Sequence, residues 1–175
     1  MSTTSLKPLI EKSIFVIREV KARFKNPAVM WSTGKDSTVC LHLIKQACFG
    51  EVPFPVIHID TSYKFPEIYK FRDSLAKKWN LKLIIAKNEE ALKQGVSPKT
   101  CPRMECCYKL KTLALKQLMQ KEKYDALIVS IRWDEHPIRG MERYFSPRTS
   151  KWHWKVVRPK TQEEMKKGDA TVVSL

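Results

Sequence analysis

Short apolar runs alternate with amphipathic stretches along most of the chain, and this alternation constrains the fold more than any other feature. Runs with strand character span residues 28–31, 53–60, 81–87, 125–131 and 153–159. Helical spacing of apolar residues spans 5–24, 37–47, 65–80 and 105–120. Continuous apolar strands that alternate with helices are typical of a parallel sheet covered on both faces. We therefore predict one doubly wound α/β domain over 1–175, with a parallel five-stranded sheet, a core at about 27–159 and a polar tail at 160–175.

Composition narrows the class of protein. The chain has 175 residues, of which 43% are apolar, so one folded domain is expected. Its net charge of +15 favours an anionic partner such as a nucleotide, a sulfate-like anion, a nucleic acid or an acidic protein, although a solvated basic surface is an alternative. No run is apolar enough to span a membrane and the N-terminus lacks the apolar core of a signal peptide, so we expect a cytoplasmic protein.

Polar clusters follow three of the predicted strands. They occupy residues 32–37, 60–62 and 132–143. The carboxyl ends of parallel strands meet at one edge of a sheet, and ligands bind there near the point where strand order reverses. We therefore expect the three clusters to share one crevice.

The first cluster, STGKDS, lies between a strand and the start of a helix, where free backbone N–H groups stabilise an anion. Three hydroxyls, a glycine, a lysine and an aspartate make up this loop: Ser32, Thr33, Gly34, Lys35, Asp36 and Ser37. We expect Gly34 to adopt a positive φ, and Asp36 to cap the helix or help hold Mg²⁺. The loop is not a Walker A motif, because that motif needs glycine where Val29 stands. An ordinary capping turn is the alternative.

Four segments resemble a known family. STGKDS resembles the SGGKDS pyrophosphate loop of ATP pyrophosphatases that transfer adenylate, with Thr33 where the family usually has glycine. PFPVIHIDTSYKFPEIYKFRD, IRWDEHPIRGMERYFSPR and WKVVRP resemble segments of the small subunit of bacterial sulfate adenylyltransferase and of phosphoadenylylsulfate reductases. The resemblance covers about 27–159 and implies an adenine nucleotide alpha hydrolase-like fold.

The resemblance also implies an activity and a site. It implies that ATP with Mg²⁺ reacts with sulfate to give adenylylsulfate and pyrophosphate, and that a GTPase subunit is a partner. The loop 32–37 would bind the phosphates, with Asp60 and Thr61 beside the nucleotide. Lys35 and three arginines would stabilise the developing charge, and three further residues would contact the substrate: Arg132, Arg139 and Arg143, then Asp134, Glu135 and His136. Alternatively, Asp134, Glu135 and Glu142 pair with the arginines in surface salt bridges.

The cysteines leave a second question open. CPRMECCYKLKTLALKQL resembles the double-cysteine segment of adenylylsulfate reductases, in which paired cysteines help ligate an iron–sulfur cluster. Cys106 and Cys107 match that pair and Cys101 is an extra candidate, but no cysteine follows Cys107, so four-cysteine ligation within that pattern is excluded. A three-cysteine cluster, reactive thiols and ordinary reduced cysteines remain alternatives, of which the last is favoured. Cys40 and Cys48 are expected in the core, as is His58.

Three rival functions compete with adenylyl transfer. The same pocket suits a reductase of adenylylsulfate or phosphoadenylylsulfate, although the late cysteines of such enzymes are absent. ATP-dependent sulfur transfer to nucleic acid would use the basic charge and Cys101, Cys106 and Cys107. A non-catalytic nucleotide-binding or nucleic-acid-binding module is the third.

Overall fold

The structure is a computed structural model, and it describes residues 5–132, 135, 139–140, 142–149, 152–153 and 171–174. Its helices are α1 (Lys7–Arg23), α2 (Lys35–Ala47), α3 (Pro66–Lys78), α4 (Glu89–Lys93), α5 (Arg103–Cys107) and α6 (Ala114–Lys121). The strands are β1 (Pro27–Met30), β2 (Val56–Ile59), β3 (Leu83–Ala86), β4 (Ala126–Val129), β5 (Phe145–Pro147) and β6 (Thr171–Ser174). No helix in this part of the chain is both long and apolar enough to cross a bilayer.

The strands form one sheet in the order β3-β2-β1-β4-β6-β5. Neighbouring strands are parallel except for β5, which runs antiparallel to β6. β1 lies between β2 and β4, so the chain leaves β1 toward one edge and later returns to its other side. The strand order therefore reverses between β1 and β4, which is where the ligands of such sheets bind.

The sheet differs from the prediction in its strand count, because the described residues contain six strands and not five. β5 has only three residues and includes Pro147. Proline has no backbone N–H to donate, and an edge strand tolerates this because it pairs on one side only. β6 lies within the predicted polar tail, where four residues are too few to establish a period. Residues 154–159 of the predicted fifth strand lie outside the described residues.

Helices cover both faces of the sheet, as predicted. Val29 and Trp31 point to the face that packs against α1 and α2, and both are fully buried. Ala28 points the opposite way, into a second cluster with Met119 of α6. β1 is apolar on both sides for this reason, and its continuous apolar run follows from its central place.

The predicted helix at 105–120 is helical throughout but irregular. A π-helical segment, Tyr108–Leu113, joins α5 to α6. The side-chain amide of Asn88 donates to the carbonyl of Lys109 at 2.9 Å, and its oxygen accepts from the backbone N–H of Ala91 at the start of α4. Such segments widen a helix and often occur at functional sites. Helical periodicity alone did not predict the irregularity.

Candidate functional site

The three polar clusters begin where β1, β2 and β4 end. The register pairs Met30 with Ile57 and Val29 with Ile128, so all three strands end at the same edge of the sheet. The predicted common edge is therefore present in the fold.

The loop at 32–37 is held by its own hydroxyl groups. The Ser32 and Ser37 Oγ atoms lie 3.0 Å apart, and the Ser37 hydroxyl donates to the Gly34 carbonyl at 3.1 Å. The helix α2 begins at Lys35, and no side chain of the described residues caps it. The first N–H groups of a helix have no acceptor within the helix, so this end presents donors and the positive end of the dipole to an anion.

Two expectations for this loop are wrong. The positive φ belongs to Thr33, at 67°, whereas Gly34 has a φ of −76°. Glycine at position 34 instead avoids a close contact, because a Cβ there would lie 3.3 Å from the Ser32 Oγ. Asp36 does not cap α2, since Gly34 is the N-cap and Asp36 lies within the first turn, beyond the cap position. The left-handed conformation thus falls on a β-branched residue, which is a strained choice.

Asp60 and Thr61 form the turn after β2. The Asp60 Oδ1 accepts from the Ser62 backbone N–H at 2.8 Å and from the Tyr69 hydroxyl at 2.9 Å. Burial opposes ionisation of Asp60, but these hydrogen bonds and the charges of Lys87 and Lys64 outweigh burial and lower its pKa. Asp60 therefore stays charged at the carboxyl edge of the sheet. Thr61 is buried at the wall of a separate pocket described below.

Behind this turn, Lys64 and His58 form a partly buried hydrogen-bonded link that sequence reasoning missed. The Lys64 ammonium lies 2.8 Å from the His58 Nε2 and donates to the Ile59 carbonyl at 2.6 Å. The His58 Nδ1 lies 3.0 Å from the Trp31 carbonyl oxygen. His58 is fully buried with both nitrogens engaged, which confirms the expectation of a core histidine. A lysine six residues after a strand histidine gives no signal that the two side chains meet.

The arginine segment borders the arginine cavity, a space of about 840 Å³ at the ends of β4 and β6. Arg132 and Arg143 line it, together with Val39 from the first turns of α2. Sequence reasoning missed several other lining residues, because they come from α1, from the segment before β5 and from β6: Leu9, Lys12, Ser13, Tyr144 and Ser174. Lys12 adds a third cation, placed over the Tyr144 ring at 4.7 Å from its centroid.

Part of this segment forms the salt bridges that were the alternative. Arg139 pairs with Glu135, and Arg132 lies 3.9 Å from the same carboxylate. Arg143 donates to the carbonyls of Gly140 and Glu142 at 2.9 Å each. Glu135 therefore serves as an arginine partner in this structure. Asp134 and His136 lie outside the described residues.

Glu142 pairs with a residue that sequence reasoning did not consider. Its Oε1 accepts from Arg148 Nη2 at 2.6 Å, and both side chains are buried. Glu142 also lines the arginine cavity. Among the described residues, neither its Oε2 nor the buried Ser174 Oγ on the same wall has a hydrogen-bond partner. Buried polar atoms without partners are rare in folded proteins.

The cysteines are all free thiols. Cys40 and Cys48 are buried as expected, and burial raises the pKa of Cys40 to about 12. Cys106 and Cys107 line the cysteine pocket, a space of about 410 Å³ shared with Thr61 and Lys111, whereas Cys101 packs against a small apolar cluster. Within the described ranges, no group of three or more His, Cys, Asp or Glu side chains is placed to hold a metal ion.

A mostly parallel sheet of this order, with helices on both faces and a polar loop between β1 and α2, defines a doubly wound α/β domain. Sequence comparison makes the assignment specific. The chain belongs to the phosphoadenosine phosphosulfate reductase domain family, whose profile matches residues 26–159.

Several curated relatives are named sulfate adenylyltransferase subunit 2. Sulfate adenylyltransferase subunit 2 of Pseudomonas entomophila (strain L48) is 45% identical over 152 residues, which is 86% of this chain and 50% of that protein. The protein of the same name from Azotobacter vinelandii (strain DJ) is 44% identical with the same coverage. The chain therefore spans about half the length of the curated relatives it matches.

Solved structures support the fold. Phosphoadenylyl-sulfate reductase from Candida auris, in a phosphate complex, matches with a TM-score of 0.63 at 16% identity, over 99% of this chain and 79% of that chain. FMN adenylyltransferase from Candida glabrata, in complex with FMN and the ATP analogue AMPCPP, matches with a TM-score of 0.60 at 14% identity, over 99% of this chain and 53% of that chain.

Proposed function

We propose that this chain carries the nucleotide-binding site of a sulfate adenylyltransferase, which converts ATP and sulfate into adenylylsulfate and pyrophosphate. The 45% identity to relatives of that name supports the reaction, although they are about twice as long as this chain. The observation that carries the proposal is the uncapped N-terminus of α2 with its three-hydroxyl loop at the sheet's carboxyl edge. Such an end is suited to the β- and γ-phosphates, which leave as pyrophosphate.

The chemistry needs positioning and charge more than a protein nucleophile. A sulfate oxygen attacks the α-phosphorus of ATP, the bond from that phosphorus to the bridging oxygen breaks, and pyrophosphate leaves on the opposite side. The loop N–H groups, the hydroxyls of Ser32, Thr33 and Ser37, and the Lys35 ammonium would stabilise the departing charge. No proton has to move to the protein in this step.

The arginine cavity is the proposed site of sulfate. Arg132 and Arg143 line it, and Lys12 brings a further cation from α1. A guanidinium can bind sulfate through two parallel hydrogen bonds, which fixes the attacking oxygen. Arg139 would act less directly, because Glu135 already neutralises it. Contacts of Asp134, Glu135 and His136 with substrate stay predictions.

Asp60, Thr61 and Asp36 complete the proposed nucleotide site. The ionised Asp60 and the Thr61 turn lie one strand away from the loop and would contact the nucleoside. Asp36 is exposed in the first turn of α2, so its carboxylate fits Mg²⁺, which is usually held by one or two carboxylates together with phosphate oxygens. That ion would neutralise phosphate charge.

A second protein is also proposed as a partner. The relatives are named as subunit 2, which supports assembly with another subunit, and we propose a GTPase in that place. The basic surface supports an anionic partner of either kind, nucleotide or acidic protein.

The test is pyrophosphate release from ATP, measured with and without sulfate, for the chain alone and with its co-purified partner. We expect sulfate-dependent release with adenylylsulfate as the second product. Lys35→Gln should lower the rate at least tenfold, whereas Lys82→Gln, an exposed lysine at the opposite edge of the sheet, should not. No release with any oxyanion from a protein that binds ATP would remove adenylyl transfer.

A further inference from the structure

A chain of hydrogen bonds joins the turn after β2 to Trp31, the last residue before the loop at 32–37, hereafter the phosphate loop. Lys64 contacts His58 Nε2 at 2.8 Å, and His58 Nδ1 contacts the Trp31 carbonyl at 3.0 Å. Trp31 also donates its backbone N–H to Ile57 at 2.8 Å, as the last rung between the two strands. The imidazole thus continues the connection between β1 and β2 beyond the backbone ladder.

The partners fix the protonation of the histidine. A carbonyl oxygen can only accept and an ammonium can only donate, so Nδ1 must carry the proton and Nε2 must be the acceptor. His58 is therefore neutral with its proton on Nδ1. Burial, together with a smaller contribution from the Lys64 charge, lowers its pKa to about 4.

Lys64 also folds the turn back onto the end of β2. Its ammonium donates to the Ile59 carbonyl at 2.6 Å, one residue before Asp60. Asp60 in turn binds the Ser62 N–H and the Tyr69 hydroxyl, and Ser62 has a positive φ of 62°. The turn that carries Asp60 and Thr61 is thus held by the side chains of Asp60, Lys64 and Tyr69.

We propose that Lys64 and His58 are positioning residues that hold the phosphate loop and the Asp60 turn at a fixed separation. The link ends at Trp31, directly before Ser32, and begins directly after the Asp60 turn. Loss of the link would free both loops to move independently, so a ligand that contacts both would bind more weakly. Only the identity of the ligand that contacts the two loops rests on the proposed function.

Charged groups from three elements surround the link. Arg72 of α3 and Lys111 of the π-helical segment repel the Lys64 ammonium, and Asp60 attracts it. Burial is the largest influence, and together these groups lower the pKa of Lys64 to about 8. Arg72 is buried, and its Nη1 has no hydrogen-bond partner among the residues that the structure describes. Lys64 therefore begins to lose its proton just above neutral pH, so the link should weaken in mildly alkaline solution.

The first test needs no ligand. Imidazole ¹⁵N shifts of the intact protein at pH 6 should show the proton on Nδ1. Lys64→Met should speed amide exchange of Trp31 and Asp60 at least tenfold, because their N–H groups donate to the carbonyls of Ile57 and Ala86 at 2.8 Å beside the link. Lys64→Arg, which keeps a donor, should stay within threefold of wild type. Lys70→Met, an exposed lysine of α3 outside the link, should have no effect.

A second measurement follows pH. Amide shifts of Ser32 and Asp60 should change together with a midpoint near pH 8 in wild type, and this transition should be absent in Lys64→Arg, whose guanidinium stays charged. A proton on Nε2, or unchanged exchange of Trp31 and Asp60 in a folded Lys64→Met variant, would overturn the proposal. If Lys64→Met does not fold, His58→Gln gives the same exchange readout.

Nucleotide affinity then separates this inference from the proposed function. If the chain binds ATP, Lys64→Met should weaken binding about tenfold. If neither wild type nor the variant binds ATP but exchange at Trp31 and Asp60 still responds to Lys64→Met, the link stands and the proposed function falls.

Discussion

Thr33→Gly should stabilise the protein, although it removes a side chain. Thr33 has a φ of 67° at the position where the SGGKDS loop of ATP pyrophosphatases has glycine. A left-handed conformation costs an L-residue roughly 1–2 kcal/mol, and glycine does not carry this cost. Glycine loses more backbone entropy on folding, roughly 0.5–1 kcal/mol, so the net gain should be about 0.5–1 kcal/mol.

Urea denaturation and thermal melting would measure this gain. For a domain of this size, a gain of that order should raise Tm by roughly 1–4 °C. Thr33→Ala is the matched control, because alanine also loses the hydroxyl but keeps the left-handed cost, so it should show no gain. A Thr33→Gly protein less stable than wild type would refute the strain argument, and it would mean that the Thr33 hydroxyl, which bonds to the Ser32 carbonyl, contributes more than the strain costs.

Three further predictions address other parts of the molecule. Arg148→Met should destabilise the protein by about 3–5 kcal/mol in urea denaturation, because it leaves Glu142 charged and buried; a loss below about 1 kcal/mol would contradict a buried pair. His58 protonates near pH 6.5 when unfolded but near pH 4 when folded, so stability should fall by ~3 kcal/mol as pH drops from 6.5 to 4. His58→Gln should lack this part of the pH dependence, and an identical slope in both proteins would contradict it. Arg143→Gln should raise the KM for sulfate at least tenfold, more than Arg139→Gln, since Arg143 lines the cavity and Arg139 does not; equal effects would contradict this placement of sulfate.

The architecture was largely predictable from sequence, and the exceptions have physical causes. β1 is central and apolar on both faces, so its pattern is strong and its bounds differ by only one residue from the prediction. β5 and β6 are short. They pair with each other, and β6 also pairs with β4, through contacts distant in sequence. Period-based reasoning carries little information over three or four residues.

The site was predictable as a set of segments but not as a set of contacts. The edge of the sheet follows from strand direction, and the loop, the Asp60 turn and the arginine segment all lie there. The predicted common crevice is a finer expectation: the described residues of the three segments line three different pockets. Which residue takes the positive φ depends on how the loop enters α2, and Thr33 rather than Gly34 takes it. The Lys64–His58 contact and the place of Lys12 in the arginine cavity depend on side-chain directions that no spacing encodes.

The most direct test of the central claim is calorimetric titration of a non-hydrolysable ATP analogue into wild type, Lys35→Ala and Cys48→Ala. If the loop at 32–37 binds the phosphates, Lys35→Ala should bind at least tenfold more weakly. Cys48→Ala changes only a buried thiol at the far end of α2, so its affinity should equal that of wild type. Equal affinity in wild type and Lys35→Ala would contradict the assignment of the loop as the phosphate site.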